Sequence, residues 1–428
     1  MPGSASALAM VRWRYSRLGF ALLERRQAQR HCRIRISRAD MSYSFPGGLL
    51  SSLRSAWAVL TDAPLLSDVA RGRNNNFNLI RFLAASAVIV YHEFGIAPTR
   101  GAIEPGQWLT RGRDNAGGLA VEVFFIISGF LVTQSFAARR GSLTSFLCAR
   151  ALRIFPALWV AVPFSIIVAS FASPVPWGAY LTHPQTIKYW WHNSLLWDLQ
   201  YYLPGAFRHA PVAGNVNGSL WTLPTEFHLY LVCALLGLLG FYGSRSVFNL
   251  FCLCLVIVAF ATKPEALPVV TDDNTARWAF AFLLGAAFFV NWEKIRLSIP
   301  VAVALLLSTY FVVDPGLERM YVLPALSYAT LCFSLHPSLF FRPFTRIGDY
   351  SYGLYIYAFP LQQQIVFYNP GIHWLTGLAV TYPIILGVAV LSWHLVEKPA
   401  LDLKRYFQRR PGPKPALEQP ELAALAGR

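Results

Sequence analysis

The sequence predicts an all-α protein, a polytopic membrane bundle of about ten transmembrane helices with both termini in the cytoplasm. Hydrophobic residues make up 55% of the 428 residues, and charged residues make up only 14%, against about 25% in soluble proteins. Apolar stretches of roughly 20 residues, enough to cross a bilayer as a helix, recur along most of the chain. One membrane domain therefore explains the chain better than two or three soluble domains.

The N-terminal part has a different composition. Residues 1–40 contain nine arginines and no apolar run long enough to span a membrane. Residues 1–73 are predicted to be a basic, disordered leader on the cytoplasmic face, and a misassigned start, with Met41 as the alternative, stays open. Residues 74–397 are predicted to form the membrane domain, and residues 398–428 a polar cytoplasmic tail.

Ten candidate spans follow from Asn74 onwards. A long loop rich in Trp, Tyr, His and Pro, residues 173–220, separates the third span from the fourth. The predicted spans are 76–96, 117–136, 152–172, 221–240, 246–262, 276–292, 298–313, 319–335, 350–369 and 374–395.

The distribution of Lys and Arg predicts the orientation. With the N-terminus inside, 16 of these residues fall on the inner connections and C-terminal tail, and 7 fall on the outer loops. The net charge of +16 is thus placed at the ends of apolar segments and in the tails, which indicates anchoring to the lipid bilayer and not nucleic-acid binding. The six cysteines show no CxxC or Cys/His spacing, so neither a disulfide nor a metal site is expected.

The first span carries two ionisable residues, Arg81 and His92, and such residues within a membrane are candidates for function. Their separation of 11 residues is three helical turns plus about 20°, so both lie on one face, about 16 Å apart along the axis. Arg81 is expected near the inner side and His92 near the outer side. A snorkelling arginine and a buried, satisfied histidine remain the alternative.

Candidate residues in the next two spans have structural explanations as well. Glu122 lies one turn inside the second span, and Ser128 and Gly129 at its middle allow close approach of a ligand or of another helix. Arg150 and Arg153, at the inner start of the third span, share a helix face and suit a phosphate, or serve as topology anchors.

Glu226 begins the fourth span, at the predicted depth of His92. A histidine and a carboxylate brought together at a low-dielectric site form a general base and the group that orients it. Two further motifs, Asp349–Pro360 and Ser392–Pro399, mark the last two spans.

Together these motifs resemble the acyltransferase-3 family of bacterial membrane enzymes, which O-acylate surface and exported carbohydrates. The resemblance covers residues 74–405. It implies a protein of the bacterial cytoplasmic membrane, an acyl-coenzyme A donor bound from the cytoplasm, with acetyl as the expected group, and a carbohydrate acceptor at the outer side. No bound cofactor is implied.

The resemblance also implies roles for residues of the chain. Arg81 and His92 match the family's Arg-x10-His pair, with His92 as catalytic base. Ser128-Gly129-Phe130 matches its SGF element, Arg150 and Arg153 match its basic patch, and Glu226 matches the acid of its Trp-x-x-x-x-Glu stretch.

Three positions depart from the family pattern: Asn78 replaces a usual Asp, Ala149 a frequent Arg, and Ala358 a frequent His. The expected mechanism has Arg150 and Arg153 holding the donor phosphates while the pantetheine arm passes Ser128 and Gly129. His92, oriented by Glu226 or Glu122, then deprotonates the acceptor. A transporter of a lipid-linked sugar is the competing class, because such proteins also place charged residues within the membrane.

Overall fold

The computed structural model describes residues 62–72, 74–138, 142–261 and 272–407. Most of the predicted leader and the end of the predicted tail, residues 408–428, lie outside the described residues. Within these ranges the chain forms helices joined by loops, with two isolated β-bridges and no strand. The all-α class is confirmed.

Helices stand at all ten positions predicted for spans, and one more helix of 11 residues or more lies in the long loop. The α-helices of 11 residues or more in the described ranges are α1 Phe77–Ile96, α2 Ala116–Ala138, α3 Leu143–Ser170, α4 Pro184–Leu195, α5 Leu223–Leu238, α6 Arg245–Ala261, α7 Asp273–Val290, α8 Ile299–Thr309, α9 Pro315–Leu335, α10 Ser351–Tyr368 and α11 Trp374–Ser392.

Five helical stretches among the described residues are long and apolar enough to cross a membrane. They are Phe77–Ile96, Ala116–Ala138, Leu143–Ser170, Gly218–Leu238 and Trp374–Tyr406. The last two combine helix types: a 3-10 turn, Gly218–Thr222, leads into α5, and a π-helical turn, Trp393–Glu397, follows α11.

Helix α3 begins nine residues earlier than predicted, at Leu143 instead of residue 152. The added turns contain Arg150, and Arg153 follows one turn later, so both lie about 10 to 15 Å along the helix from its first residue. Ala and Arg are good helix formers, and the charges that made this stretch look like a helix boundary belong to its interior.

Helices α2 and α7 cross in backbone contact at the centre of the bundle. A Cβ atom added at Gly129 would lie 2.0 Å from the carbonyl oxygen of Phe282, and one at Gly285 would lie 2.1 Å from that of Ile126. Small residues at both positions are required for this approach. Helix α2 also packs on α1, and α10 packs on both α1 and α11.

The last part of the predicted leader is docked on the bundle. The backbone N–H of Leu66 donates to the carbonyl of Ile295 (2.9 Å), and that of Leu297 donates to the carbonyl of Pro64 (2.9 Å). The Leu66 side chain is fully buried. Residues 62–72 therefore pack with the membrane domain, although they precede its predicted start at residue 74.

The first part of the predicted tail is also structured. Residues 398–407, named here the C-terminal segment, form two short helices, Lys398–Asp402 and Lys404–Phe407, which pack against α3. A polar composition suggested a solvated tail, but this segment covers the end of the bundle where α3 begins.

Candidate active site

A cavity of about 350 Å³ lies between α1, α2, α3, α5 and α10, and the C-terminal segment closes one end of it. We call it the charged cavity. Five of the predicted site residues line it, together with two charged residues that had no predicted role. The five are Arg81, Ser128, Arg150, Arg153 and Glu226, and the two are Asp349 and Lys404.

Asp349 joins two of the arginines. Its Oδ2 atom accepts hydrogen bonds from Arg81 Nη1 (3.1 Å) and Arg153 Nη2 (2.7 Å), and its Oδ1 atom accepts one from Ser351 Oγ (2.5 Å). Arg153 Nη1 also lies 3.9 Å from Glu397 Oε2. Asp349 is 7% exposed, and a buried carboxylate is stable only with such partners. The network fixes the two guanidinium groups at the cavity wall.

Glu226 faces the same cavity. Its Oε1 atom accepts hydrogen bonds from the hydroxyl groups of Tyr230 and of Ser128, the latter at 3.4 Å. The Tyr230 ring in turn lies 5.7 Å from the guanidinium carbon of Arg150. Glu226 is thus held by α2 and by its own helix, beside the arginines of α3.

The lining of the charged cavity carries an excess of positive charge. It contains four cationic side chains, from Arg81, Arg150, Arg153 and Lys404, and two carboxylates, from Glu226 and Asp349. A partly enclosed site with this balance attracts anions, and guanidinium groups pair particularly well with phosphate.

His92 lies beyond the other end of the charged cavity and does not line it. Thr222 and Tyr355, whose hydroxyl oxygens are 2.7 Å apart, stand at that end. One turn after Tyr355, Phe359 packs edge-to-face on the His92 ring, with centroids 5.1 Å apart. The Nδ1 atom of His92 is buried and has no hydrogen-bond partner among the described residues. The imidazole is therefore held by packing and not by a polar partner.

The predicted base–orienter pair is not assembled. Glu226 is bonded to Tyr230 and Ser128, and Glu122 lies 2.5 Å from Arg277, which also pairs with Asp114. Depth along a helix predicted that these carboxylates would meet His92. Whether they meet it also depends on the direction in which each helix presents its carboxylate, and both carboxylates have other partners in the structure.

Gly129 does not line the cavity, because its backbone is pressed against α7. The packing interpretation of this residue accounts for its position, whereas the neighbouring Ser128 does reach the cavity. Asp349 and Lys404 were missed for different reasons. Asp349 begins the motif Asp349–Pro360, next to a predicted span. An acid at the end of a span was therefore the signal that could have identified it as a site residue. Lys404 was interpreted as part of a solvated tail.

Comparison with known proteins gives a match along the membrane domain. The acyltransferase-3 model, described as an acyltransferase domain, matches residues 74–396. The chain is 28% identical over 367 residues to an O-acetyl transferase of Shigella phage Sf6, covering 81% of this chain and 99% of that protein.

Two further relatives agree with this match. Nodulation protein 10 of Rhizobium leguminosarum bv. viciae is 28% identical over 370 residues, 78% of this chain and 95% of that protein. O-acetyltransferase OatA of Staphylococcus aureus is 24% identical over 369 residues, 75% of this chain and 56% of that protein. No solved structure shows a significant match to the chain.

Proposed function

The chain belongs to the acyltransferase-3 family and is an acyltransferase, and we propose that it O-acylates a carbohydrate of the cell surface or of an exported glycan. Acyl-coenzyme A is the proposed donor, with acetyl as the transferred group. The observation that carries the proposal is the charged cavity, which brings the predicted arginines together within a membrane protein. Because the chain belongs to an acyltransferase family, we favour this function over a transporter of a lipid-linked sugar.

The proposed topology has ten spans in the bacterial cytoplasmic membrane, with both termini inside. The ends of α1, α3 and α10 nearest the charged cavity then face the cytoplasm, where acyl-coenzyme A is made. Its phosphates are polyanionic, and Arg150, Arg153 and Lys404 supply donors for them. Arg81 completes the wall through its shared carboxylate, Asp349.

His92 is the proposed catalytic base. It lies about 16 Å beyond Arg81 along α1, so the donor's flexible pantetheine arm has to pass Ser128 and the hydroxyl groups of Thr222 and Tyr355. No described carboxylate orients the ring, and edge-to-face packing by Phe359 supplies the orientation instead.

In the proposed reaction, His92 accepts the proton of the acceptor hydroxyl as its oxygen attacks the thioester carbonyl carbon. The new C–O bond forms and the C–S bond breaks, so coenzyme A leaves as the thiolate. The thiolate then takes the proton from His92, which returns the enzyme to its initial state.

The test compares a deletion strain carrying the wild-type gene with one carrying a His92→Ala gene. Mass spectrometry of the surface and exported glycans is expected to show acyl groups in the first strain and none in the second. Membranes from both strains are then given acetyl-coenzyme A, and released thiol is measured. Equal acylation of the glycans in the two strains would contradict the proposal.

A further inference from the structure

Helix α4 in the long loop has two unlike faces. Its buried side chains, Thr186, Tyr189 and Asn193 among them, pack toward the bundle. The other face exposes large apolar side chains, which are Ile187 (46% exposed), Trp190 (45%), Trp191 (53%) and Leu195 (57%), and Trp197 (73%) follows the helix end. A contiguous apolar face of this kind indicates an interaction surface.

Defined contacts place α4 alongside α3. The indole N–H of Trp159 donates to the carbonyl of Ser194 at the end of α4 (3.0 Å), and in the short helix Trp177–Thr182 before α4 the hydroxyl of Tyr180 donates to the carbonyl of Ile166 (3.2 Å). Trp159 precedes the last residue of α3 by 11 residues, so the C-terminal end of α4 lies about 16 Å back along α3 from its end. The loop therefore descends beside a helix that is long and apolar enough to cross the membrane.

The exposed face of α4 continues the exposed face of α3. Trp159, Val160 and Ile167 of α3 are 44 to 55% exposed, and on a spanning helix such apolar side chains face lipid. Because Trp159 is bonded to the end of α4, Trp191 and Leu195 belong to the same side of the molecule.

The charges on α4 are arranged in a way that suits a membrane interface. Lys188 Nζ lies 3.8 Å from Asp198 Oδ2, and His192 Nδ1 lies 3.6 Å from the same oxygen. Lys188 and Asp198 are exposed and His192 is partly buried, so paired charges border the exposed apolar face, a combination typical of helices that lie where head groups meet the acyl chains and where tryptophan is enriched.

We propose that α4 is an interfacial helix whose exposed aromatic face lies in the outer leaflet, and that its partner is the phospholipid surface. The helix is linked to the active site. Asn217, at the end of the same loop, donates to Ser165 Oγ of α3 (3.3 Å) and to the carbonyl of Ile356 (2.9 Å). The next residue, Gly218, lies against Phe359, the ring that packs on His92. Lipid contact at α4 thus holds the acceptor side of the active site at the bilayer surface.

This inference rests on the proposed crossing of α3 and not on acyl transfer, so the test uses no activity measurement. The full chain, with its own cysteines replaced by serine, is reconstituted in liposomes of phosphatidylcholine and phosphatidylglycerol. Trp191→Cys and Leu195→Cys are each labelled with bimane. The control is His209→Cys, an exposed position in the same loop but away from α4.

Replacing the phosphatidylcholine by its brominated form is expected to reduce bimane emission about two-fold or more at positions 191 and 195, and to leave position 209 nearly unchanged. Equal, weak quenching at all three positions overturns the proposal. Weak quenching at 191 and 195 with emission that responds to added oligosaccharide also overturns it, and makes this face a platform for sugar. If either variant fails to insert, Trp190→Cys on the same face takes its place.

Discussion

Arg81 in the charged cavity and His92 lie about 16 Å apart along one helix, and the two regions hold their functional groups by opposite means. In the cavity, Arg81 and Arg153 share Asp349, and Glu226 is bonded to two hydroxyl groups. Around His92 the contacts are aromatic, and its buried nitrogen has no polar partner among the residues described.

This difference separates two tasks. Paired charges fix guanidinium groups for a polyanionic ligand, because each group keeps its position before the ligand arrives. Packing of Phe359 on the imidazole fixes the orientation of the His92 ring before a substrate arrives. In the proposed function the charged cavity binds the donor and His92 carries out the chemistry, and the four predictions below test that division.

The largest effect is expected at His92. A positioned general base contributes about 10²- to 10⁴-fold to the rate, so His92→Ala should lower kcat by that factor with membrane abundance unchanged. Turnover per inserted molecule is the measurement. His228→Ala, an exposed histidine of α5, is the matched control and should keep normal turnover. Normal kcat in His92→Ala would remove the chemical role from this region.

The second effect concerns donor affinity. Arg150→Gln should raise the KM for acetyl-coenzyme A about ten- to a hundred-fold, because charged hydrogen bonds contribute about 1.5–3 kcal/mol each, and kcat should change little. Arg245→Gln is the control, since Arg245 pairs with Glu293 and does not line the cavity. An unchanged KM would mean that Arg150 is an anchor and not a donor contact.

A smaller effect of the same kind is expected from the C-terminal segment. Lys404→Gln should raise the donor KM about three- to ten-fold, because an ammonium group is more strongly hydrated than a guanidinium group and forms no bidentate contact with phosphate. The adjacent Arg405, which lies over Tyr406 and not in the cavity, gives the control Arg405→Gln. If Lys404→Gln raises the donor KM no more than Arg405→Gln does, Lys404 does not contact the donor.

The smallest effect is a coupling energy. Because Glu226 has no contact with His92, Glu226→Gln and His92→Ala should reduce kcat/KM additively, within about 0.5 kcal/mol. The double variant and both single variants are measured with one acceptor under the same conditions. Strong non-additivity would show that the two residues act as one unit, as the sequence predicted.

The sequence allowed the helices to be placed because apolar length and periodicity depend on the chain alone. It misjudged the start of α3, since Arg150 looked like a boundary although it faces a polar cavity within the protein. It also predicted that Glu122 or Glu226 orients His92, whereas in the structure Glu226 is bonded to Tyr230 and Ser128 and Glu122 pairs with Arg277. Their depth followed from helix geometry, but the direction each one faces depends on how α2 and α5 pack, which one sequence does not specify.

The residues of the charged cavity were predicted through family motifs, and their arrangement was not. Nothing local indicated that Asp349 bridges Arg81 and Arg153, because the three residues are far apart in sequence. Lys404 was missed since a polar stretch after the last span usually lies in water, whereas here it packs back on α3.

The crossing of α2 and α7 also has a consequence for biosynthesis. Glu122 enters the membrane with α2, but its partner Arg277 is 155 residues further along the chain. At about 5–20 residues per second, roughly 8 to 31 s pass before the ribosome has made that partner. During this interval α2 carries Glu122 without Arg277, and the backbone at Gly129 is not yet covered by α7. It therefore needs shelter at the insertion machinery until α7 arrives, and slowing of translation between α2 and α7 would prolong that vulnerable state.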